Sequence, residues 1–194
     1  YQAYKNEAKP PPIVATIGDS TFFHSGVPGL IDAVVQKVKF VLVILDNRTT
    51  AMTGNQPTPA TGFGACGEEL NTVDIESLVR GCGVEYIREG NPYQLDEFIA
   101  LMKEAVQYSH ENGPAVVLSR YPCVIHRARQ GGEGEYNPVE ITDDCDGCGY
   151  CIKQFECPAL VYHDEDEDNK YTSINQMICT SCGVCVEVCP KDAI

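Results

Sequence analysis

The chain has 194 residues, of which 43% are hydrophobic, enough for one ordinary domain and a smaller second one. Its 28 acidic and 14 basic residues give a net charge of −14, which argues against nucleic acid or an anionic membrane surface as a partner. No apolar run reaches the ~20 residues needed to span a bilayer, and the polar start lacks the apolar core of a signal peptide. These features predict a cytoplasmic protein.

Short β-branched runs alternate with helical periodicity from Pro12 to about Ser119. Strands are predicted over 13–17, 40–46, 84–87 and 115–119. Helices are predicted over 28–38, 94–108 and, as a shorter element, 74–80. Alternation of this kind is typical of a parallel α/β sheet.

A glycine-rich polar segment, "ARQGGEGEYNP", covers residues 128–138 and lacks any periodicity. It is predicted to be a linker, with one domain over 1–130 and a second over 131–194. In the second domain, "VYHDEDEDNKYTSI" favours a hairpin with an acidic tip over "HDEDED". That tip is expected to be a solvated loop, which could also prevent edge pairing or steer a partner.

The second domain contains a repeat in which cysteines fall on cysteines. The first copy has Cys145, Cys148, Cys151 and Cys157-Pro158, and the second has Cys179, Cys182, Cys185 and Cys189-Pro190. The second copy follows the C-x2-C-x2-C-x3-C-P run of bacterial ferredoxins, whereas the first has two more residues before its last cysteine. The pattern predicts a small α+β module with two 4Fe-4S clusters.

In this arrangement the fourth thiolate of each cluster comes from the other repeat. The first cluster would use Cys145, Cys148, Cys151 and Cys189. The second would use Cys179, Cys182, Cys185 and Cys157. Glycines within the repeats ease the turning of each ligand loop. A pair of zinc sites is the alternative, but three tightly spaced cysteines plus a Cys-Pro, duplicated, fit tetrahedral zinc poorly.

Cys66, Cys82 and Cys123 are isolated in the sequence. Small buried thiols are common in protein interiors, so we expect these three to be buried and assign them no role.

The segment "IVATIGD" is a predicted strand that ends in Gly18-Asp19, and "FVLVILDNRT" ends in Asp46-Asn47. Ends of neighbouring parallel strands can open at one edge of a sheet, where backbone N-H groups can face a phosphate. Asp19, the Asn47 amide oxygen and the Thr49 carbonyl could then share one octahedral Mg²⁺ with two diphosphate oxygens.

The Gly-Asp and following Asn resemble the thiamine diphosphate motif, with Ser20 in place of its glycine and Arg48 in place of its last asparagine. The longer string "GDSTFFHSGVPGLIDAV…VILDNRTTAMTGNQPTPATG" resembles the 2-oxoacid:ferredoxin oxidoreductases, in particular the alpha subunits that act on indolepyruvate. In those subunits a two-cluster ferredoxin domain follows in the same order.

The resemblance implies oxidative decarboxylation of an aryl 2-oxoacid to an arylacetyl-CoA, with electrons passing through the clusters to external ferredoxin. It implies coenzyme A as acyl acceptor and a smaller beta subunit in a hetero-oligomer. By carry-over, Asp19, Asn47 and Thr49 bind Mg²⁺. The residues carried over to the cofactor are Gly18, Ser20, Thr21, Phe22 and Thr53. His24 is expected near substrate, although a structural histidine is the more common case, so it receives no role.

Two alternatives stay open at this point, in addition to the zinc sites considered above. Pyruvate or another 2-oxoacid could be the substrate, because spacing does not locate the pocket. An electron-relay protein without thiamine chemistry is favoured by the changes at Ser20 and Arg48 but not by the retained Asp19 and Asn47.

Thiamine diphosphate enzymes of the family that the chain resembles also need a glutamate from a pyrimidine-binding domain, which these residues do not supply. We therefore expect the chain to be the C-terminal portion of a longer subunit.

Overall fold

The computed structural model describes residues 1, 3–4, 6–7, 10–129, 139–164 and 170–194. It divides into two compact units, Tyr1–His126 and Arg127–Ile194. The predicted domain boundary, most of the predicted linker and the tip of the acidic hairpin lie outside the described residues. Within them, no helix is both long enough and apolar enough to cross a membrane.

The first unit is built on a four-stranded parallel sheet with helices on both faces. Its strands are β1 (Val14–Gly18), β2 (Val41–Asp46), β3 (Tyr86–Gly90) and β4 (Ala115–Arg120), in the spatial order β1-β2-β4-β3. Its helices are α1 (Asp19–Thr21), α2 (Val27–Val35), α3 (Ile75–Gly81), α4 (Leu95–Glu111) and α5 (Val124–Arg129, which continues past the boundary between the units). The predicted α/β fold is confirmed.

The third strand is the main difference from the sequence prediction, which placed it over 84–87. The structure begins β3 two residues later and continues it through Arg88 and Glu89, whose main chains pair with Val117 and Leu118 of β4. Because these side chains are polar, a hydrophobicity pattern does not detect this part of the strand. Val84, assigned to the strand, is instead a buried loop residue in the core.

Two apolar clusters cover the two faces of the sheet. On one face, Leu42, Ile44 and Val116 of the central strands pack with Leu30 of α2 and Val79 of α3. On the other face, the sheet packs against one side of α4, where Ala105 is fully buried among half-buried neighbours. Burial on both faces explains why the central strands are continuous hydrophobic runs.

The chain leaves β1 through a short helical stretch that includes a π-helical turn at Phe22–Gly26. Phe22 is completely buried and belongs to the core. Gly26 has an ordinary helical φ of −75°, so its backbone does not require glycine. A Cβ there would lie 2.7 Å from the Phe22 ring and 3.0 Å from Ile17, so the close approach of these side chains requires it.

The second unit is small, and its cysteines form part of its core. It contains the antiparallel hairpin of β5 (Leu160–Asp164) and β6 (Lys170–Ile174), a π-helical turn at Cys151–Phe155, and helix α6 (Val184–Val188). Cys151 and Cys185 are buried with Val139 and Leu160. The predicted hairpin is therefore present on both sides of its undescribed tip.

The cysteine loops turn through left-handed backbone conformations. Gly147, Gly149 and Gly183 all have positive φ values, of 64°, 68° and 78°. Ser181, at the repeat position equivalent to Gly147, also has a positive φ, of 52°. Glycine adopts this conformation without strain, which confirms that these glycines ease the turning of the loops.

The contact at Gly26 gives a stability prediction. We expect Gly26→Ala to lower the free energy of unfolding by about 1–3 kcal/mol, because an added methyl group would overpack the buried Phe22 ring. Gly29→Ala is the matched control, since a Cβ at Gly29 in α2 would meet no atom within 4 Å. It should raise stability by about 0.5–1 kcal/mol through helix propensity.

Urea denaturation followed by far-ultraviolet circular dichroism compares the two variants. If both substitutions raised the denaturation midpoint, the packing requirement at Gly26 would be wrong.

Candidate functional site

The parallel pairing of β1 with β2 brings two polar strand ends together. Gly18 lies opposite Leu45 in the register, so Asp19 follows β1 beside the end of β2 at Asp46. The two strands therefore end at the same edge, as the sequence predicts. Asp19 begins the helical stretch that leads into α2, and its carboxylate is only 2% exposed.

The Asp19 carboxylate is incompletely satisfied. Oδ1 accepts a hydrogen bond of 2.8 Å from the Ser20 N-H, whereas Oδ2 is buried with no hydrogen-bond partner among the described residues. Burial is the main cause that raises the pKa of Asp19 to about 6, with a smaller contribution from the negative charge of Asp46. An unpaired, buried carboxylate oxygen is unfavourable by itself, and a bound cation would compensate it.

Hydrogen bonds hold the loop after β2 against the start of α1. The Thr50 hydroxyl donates to the Ser20 hydroxyl at 2.9 Å, across the gap between the two strand ends. Asn47 Oδ1 accepts the Thr49 N-H at 3.1 Å, which orients the amide. Thr49 is itself 3% exposed. The structure thus places Asn47 and Thr49 in the loop that contacts the Asp19 turn.

The remaining cofactor residues named by resemblance fall into distinct environments. Gly18 has an ordinary φ of −72°, yet a Cβ there would meet no atom within 4 Å, so open space lies above it. Thr21 is exposed on the same turn, whereas Thr53 is exposed on a separate short 3-10 turn. His24 is exposed in the π-helical turn.

Phe22 requires a correction. Its side chain is completely buried in the core, and its N-H donates to the Asp19 carbonyl. Neither group is available to a diphosphate, so Phe22 packs in the core next to the Asp19 turn and does not line the cofactor.

A buried ion-pair network lies beside the candidate metal residues. Asp46 is fully buried; its Oδ2 lies 2.7 Å from Arg120 Nε and its Oδ1 lies 3.5 Å from Arg48 Nε. Arg48, with a left-handed φ of 60°, also donates to the Ala60 carbonyl. Arg120 pairs in addition with Glu89. The network fixes the backbone on both sides of Asn47, because Asp46 and Arg48 are its immediate neighbours.

The structure gathers the first predicted cysteine set around one cavity. Cys145, Cys148, Cys151 and Cys189 all line it, so the cysteine from the second repeat does reach the first loop. An ion pair of 3.1 Å between Lys191 and Asp146 joins the two repeats at this point. The Cys189 sulfur also accepts a backbone N-H at 3.4 Å, from Ala193.

The second set is recognisable from the electrostatics of Cys185. Burial, followed by the charges of the nearby thiols of Cys182, Cys157 and Cys179, raises the pKa of Cys185 to about 11. These four residues are the second predicted set. Four neighbouring thiolates, one of them buried and three half-buried, repel one another, and cationic iron would offset that repulsion.

No three His, Cys, Asp or Glu side chains in the described parts of the chain converge closely enough to hold a single metal ion. A zinc site needs its ligands at about 2.0–2.3 Å from one point, whereas a 4Fe-4S cluster binds each thiolate through a separate iron.

The three other cysteines belong to the first unit. Cys82 and Cys123 are half-buried, but Cys66 is exposed. The expectation of a buried thiol is therefore wrong for Cys66, which lies in a turn where its own N-H donates to the Glu68 carboxylate.

Comparison with known proteins agrees with both halves of the structure. Residues 3–118 match the family model described as "Thiamine pyrophosphate enzyme, C-terminal TPP binding domain". The chain belongs to the thiamine pyrophosphate enzyme family. Residues 137–190 match the model of a 4Fe-4S dicluster domain, so this member of the family continues into an iron-sulfur module.

Curated relatives of this thiamine pyrophosphate enzyme are named indolepyruvate oxidoreductase subunit IorA. The protein from Archaeoglobus fulgidus is 47% identical over 94% of the chain, and that from Methanothermobacter marburgensis is 43% identical over 94%. The Pyrococcus horikoshii protein is 37% identical over 93%. The chain spans only 28% of the first two relatives and 27% of the third.

Sequence reasoning missed the residues that orient the predicted ligands. Thr50 contacts Ser20, and Arg120 pairs with Asp46 from the end of β4. The run of hydroxyls after Asn47 is a weak signal for the first contact. The Arg120 to Asp46 pair depends on the order of the strands. It leaves no local sequence pattern, because the two residues lie 74 positions apart.

The environment of Asp19 predicts how the free energy of unfolding depends on pH in protein that holds neither thiamine pyrophosphate nor a cation. The destabilisation from charging buried Asp19 is absent below its ordinary pKa of 3.8 and complete above about 6. Asp19→Asn removes that charge. It should therefore stabilise the protein by about 2–3 kcal/mol near pH ~7.5, since one pKa unit is worth about 1.36 kcal/mol. At about pH 5 the gain should fall to roughly half.

Urea denaturation at the two pH values measures the gain. Asp32→Asn on the exposed side of α2 is the control and should change stability by less than about 0.5 kcal/mol. Equal gains for Asp19→Asn at both pH values, or a loss of stability, would show that Asp19 carries no buried charge.

Proposed function

We propose that the full-length protein is the thiamine diphosphate-dependent subunit of an indolepyruvate:ferredoxin oxidoreductase. Such an enzyme converts an aryl 2-oxoacid to an arylacetyl-CoA and CO₂ and delivers two electrons, one at a time, to external ferredoxin. The observation that carries the proposal is the buried, unpartnered oxygen of Asp19 at paired strand ends. It occurs in a chain that also holds two four-cysteine sets.

In this proposal Mg²⁺ is held by Asp19, the Asn47 amide oxygen and the Thr49 carbonyl. Gly18, Ser20 and Thr21 face the diphosphate. The open space above Gly18 and the Ser20 to Thr50 hydrogen bond support these roles. When bound, thiamine diphosphate supplies the carbanion chemistry that removes CO₂ from a 2-oxoacid. The contribution of the chain is to fix the cation and the orientation of the cofactor.

Thr53 remains a proposed cofactor contact. Its exposed position on the 3-10 turn at Ala51–Thr53 supports this role, and its hydroxyl, which donates to Gln56 Oε1, keeps the capacity to accept a hydrogen bond.

The two cysteine sets would hold the two clusters through which the electrons leave. The first uses Cys145, Cys148, Cys151 and Cys189. The second uses Cys157, Cys179, Cys182 and Cys185. Their support is the cavity shared by the first set and the mutual proximity of the second. Clusters of this kind suit a reducing cytoplasm, where we propose that the protein acts.

Substrate and partners follow from the names of the relatives. Their name supports an aryl 2-oxoacid such as indolepyruvate, and the word subunit supports a hetero-oligomer with a second, beta subunit. Pyruvate or another 2-oxoacid is the alternative substrate. Because the chain spans just over a quarter of these relatives, the full-length protein is needed for turnover.

The decisive experiment is anaerobic reduction of a viologen dye by the full-length protein with its partner subunit. Indolepyruvate, phenylpyruvate and pyruvate are compared, each with coenzyme A, Mg²⁺ and thiamine diphosphate. We expect the aryl substrates to be oxidised at least about tenfold faster than pyruvate. Faster turnover of pyruvate would overturn the aryl assignment.

Asp19→Asn and Asp32→Asn provide the matched pair for the cofactor site. Asp19→Asn should lose thiamine diphosphate binding, measured by calorimetry, and lose turnover by at least about 100-fold, while its iron content stays unchanged. Asp32→Asn should behave as wild type. If the wild-type complex bound no thiamine diphosphate, the chain would be an electron relay and the proposed enzyme activity would be wrong.

A further inference from the structure

A buried hydroxyl faces the first cysteine set. Thr172, in the middle of β6, is only 3% exposed, and its Oγ1 lies 3.9 Å from the sulfur of Cys151. It also lines the cavity shared by the four cysteines, and it is the one residue of that lining that carries a hydroxyl. A polar side chain this well buried normally has a defined hydrogen-bond partner.

The direction of this hydrogen bond depends on the state of the sulfur. Either a free thiol or the hydroxyl can act as donor at this contact. A cysteine that binds iron is a thiolate, which has no proton and can only accept. In a loaded module the Thr172 hydroxyl must therefore donate to Cys151.

We propose that Thr172 raises the reduction potential of the first cluster by donating a hydrogen bond to Cys151. This inference rests on the proposed function, because it requires the cluster to be present. Reduction adds one electron, and so one negative charge, to a cluster and its thiolates. A hydrogen-bond donor stabilises the more negative state more strongly, so the reduced form gains most.

The hairpin holds Thr172 firmly at this distance. Tyr162, the cross-strand neighbour of Thr172, donates its hydroxyl to the Gly147 carbonyl at 3.0 Å, within the same cysteine loop. A Cβ on Gly147 would clash with the carbonyl of Lys170. The loop is therefore in direct contact with both strands of the hairpin, through Tyr162 of β5 and Lys170 of β6, and these contacts keep Thr172 beside Cys151.

The contact also distinguishes the two sets. Each set has a cysteine sulfur that accepts a backbone N-H at 3.4 Å, Cys189 from Ala193 and Cys179 from Ser181. Among the described residues, only the first set has a side-chain hydroxyl contact in addition. Thr172 thus makes the first cluster a stronger electron acceptor than the same cluster would be without this hydroxyl.

The test compares Thr172→Val, which keeps the shape but removes the hydroxyl, with Thr172→Ser, which restores it. Ser173→Ala is the control, because Ser173 points to the other side of β6 and bonds His163 Nε2 at 2.8 Å. Full-length protein is purified anaerobically and analysed for iron and sulfide. It is then titrated with dithionite while electron paramagnetic resonance follows each cluster.

We expect Thr172→Val to make one of the two midpoint potentials more negative. The equilibrium constant for reduction of that cluster should fall by about three- to tenfold. Tenfold corresponds to about 59 mV for a one-electron couple. Thr172→Ser should restore most of the potential, and Ser173→Ala should leave both midpoints unchanged. A shift in Thr172→Ser equal to that in Thr172→Val would assign the effect to packing and overturn the inference.

Two further outcomes separate this inference from the proposed function. A wild-type protein without about eight iron and eight sulfide would overturn the clusters themselves. Full iron with an unchanged potential in Thr172→Val would overturn the role of Thr172 alone. If Thr172→Val loses iron, Thr172→Ala replaces it as the variant without the hydroxyl, and an unchanged potential in iron-loaded Thr172→Ala would overturn the role of Thr172.

Discussion

Burial of the Asp19 carboxylate at the end of β1 is the constraint around which the first unit is arranged. Its Oδ2 has no hydrogen-bond partner among the residues that the structure describes, and the negative charge of Asp46 disfavours its ionised form further. Such a group lowers stability unless a cation accompanies it. The fold tolerates it because the core beneath it, including the completely buried Phe22, is tightly packed. Stability is thus sacrificed at a position where a ligand would restore it.

Arginines make the neighbouring Asp46 a structural group and leave Asp19 as the available ligand. Arg120 and Arg48 neutralise Asp46 from β4 and from the loop, so its charge is compensated within the protein. Asp19 accepts the Ser20 N-H, and its Oδ2 has no hydrogen-bond partner in the described parts of the chain. Two carboxylates at adjacent strand ends therefore have different chemistry, and the difference arises from partners that reach them through the strand order. Removing both arginines would leave two uncompensated carboxylates at this edge.

The sequence predicts those parts of the molecule that depend on local pattern or fixed spacing. The hydrophobic runs predict the central strands, since burial on both faces demands apolar residues at successive positions. Cysteine spacing predicts both four-residue sets, because the run follows the ferredoxin pattern, in which three closely spaced cysteines are joined by a fourth from the other repeat. Contacts between distant segments leave no such pattern. Tertiary packing determines the Thr50 to Ser20 bond, the Arg120 to Asp46 pair and the burial of Thr172. The polar end of β3 has no hydrophobic pattern, because its pairing with β4 is made by the backbone.

The two copies of the repeat each carry four cysteines, but their loops have different surroundings. Gly147 and Ser181 occupy equivalent positions, both with positive φ, and a Cβ at Gly147 would clash with the Lys170 carbonyl of the hairpin. That contact demands glycine in the first loop, whereas the second loop tolerates serine. It also brings the Thr172 hydroxyl to a single sulfur. A duplication produces two equal sites, and an asymmetric contact with one hairpin is sufficient to make them unequal. In the proposed electron path, the packing of the hairpin would make two otherwise matching cluster sites unequal.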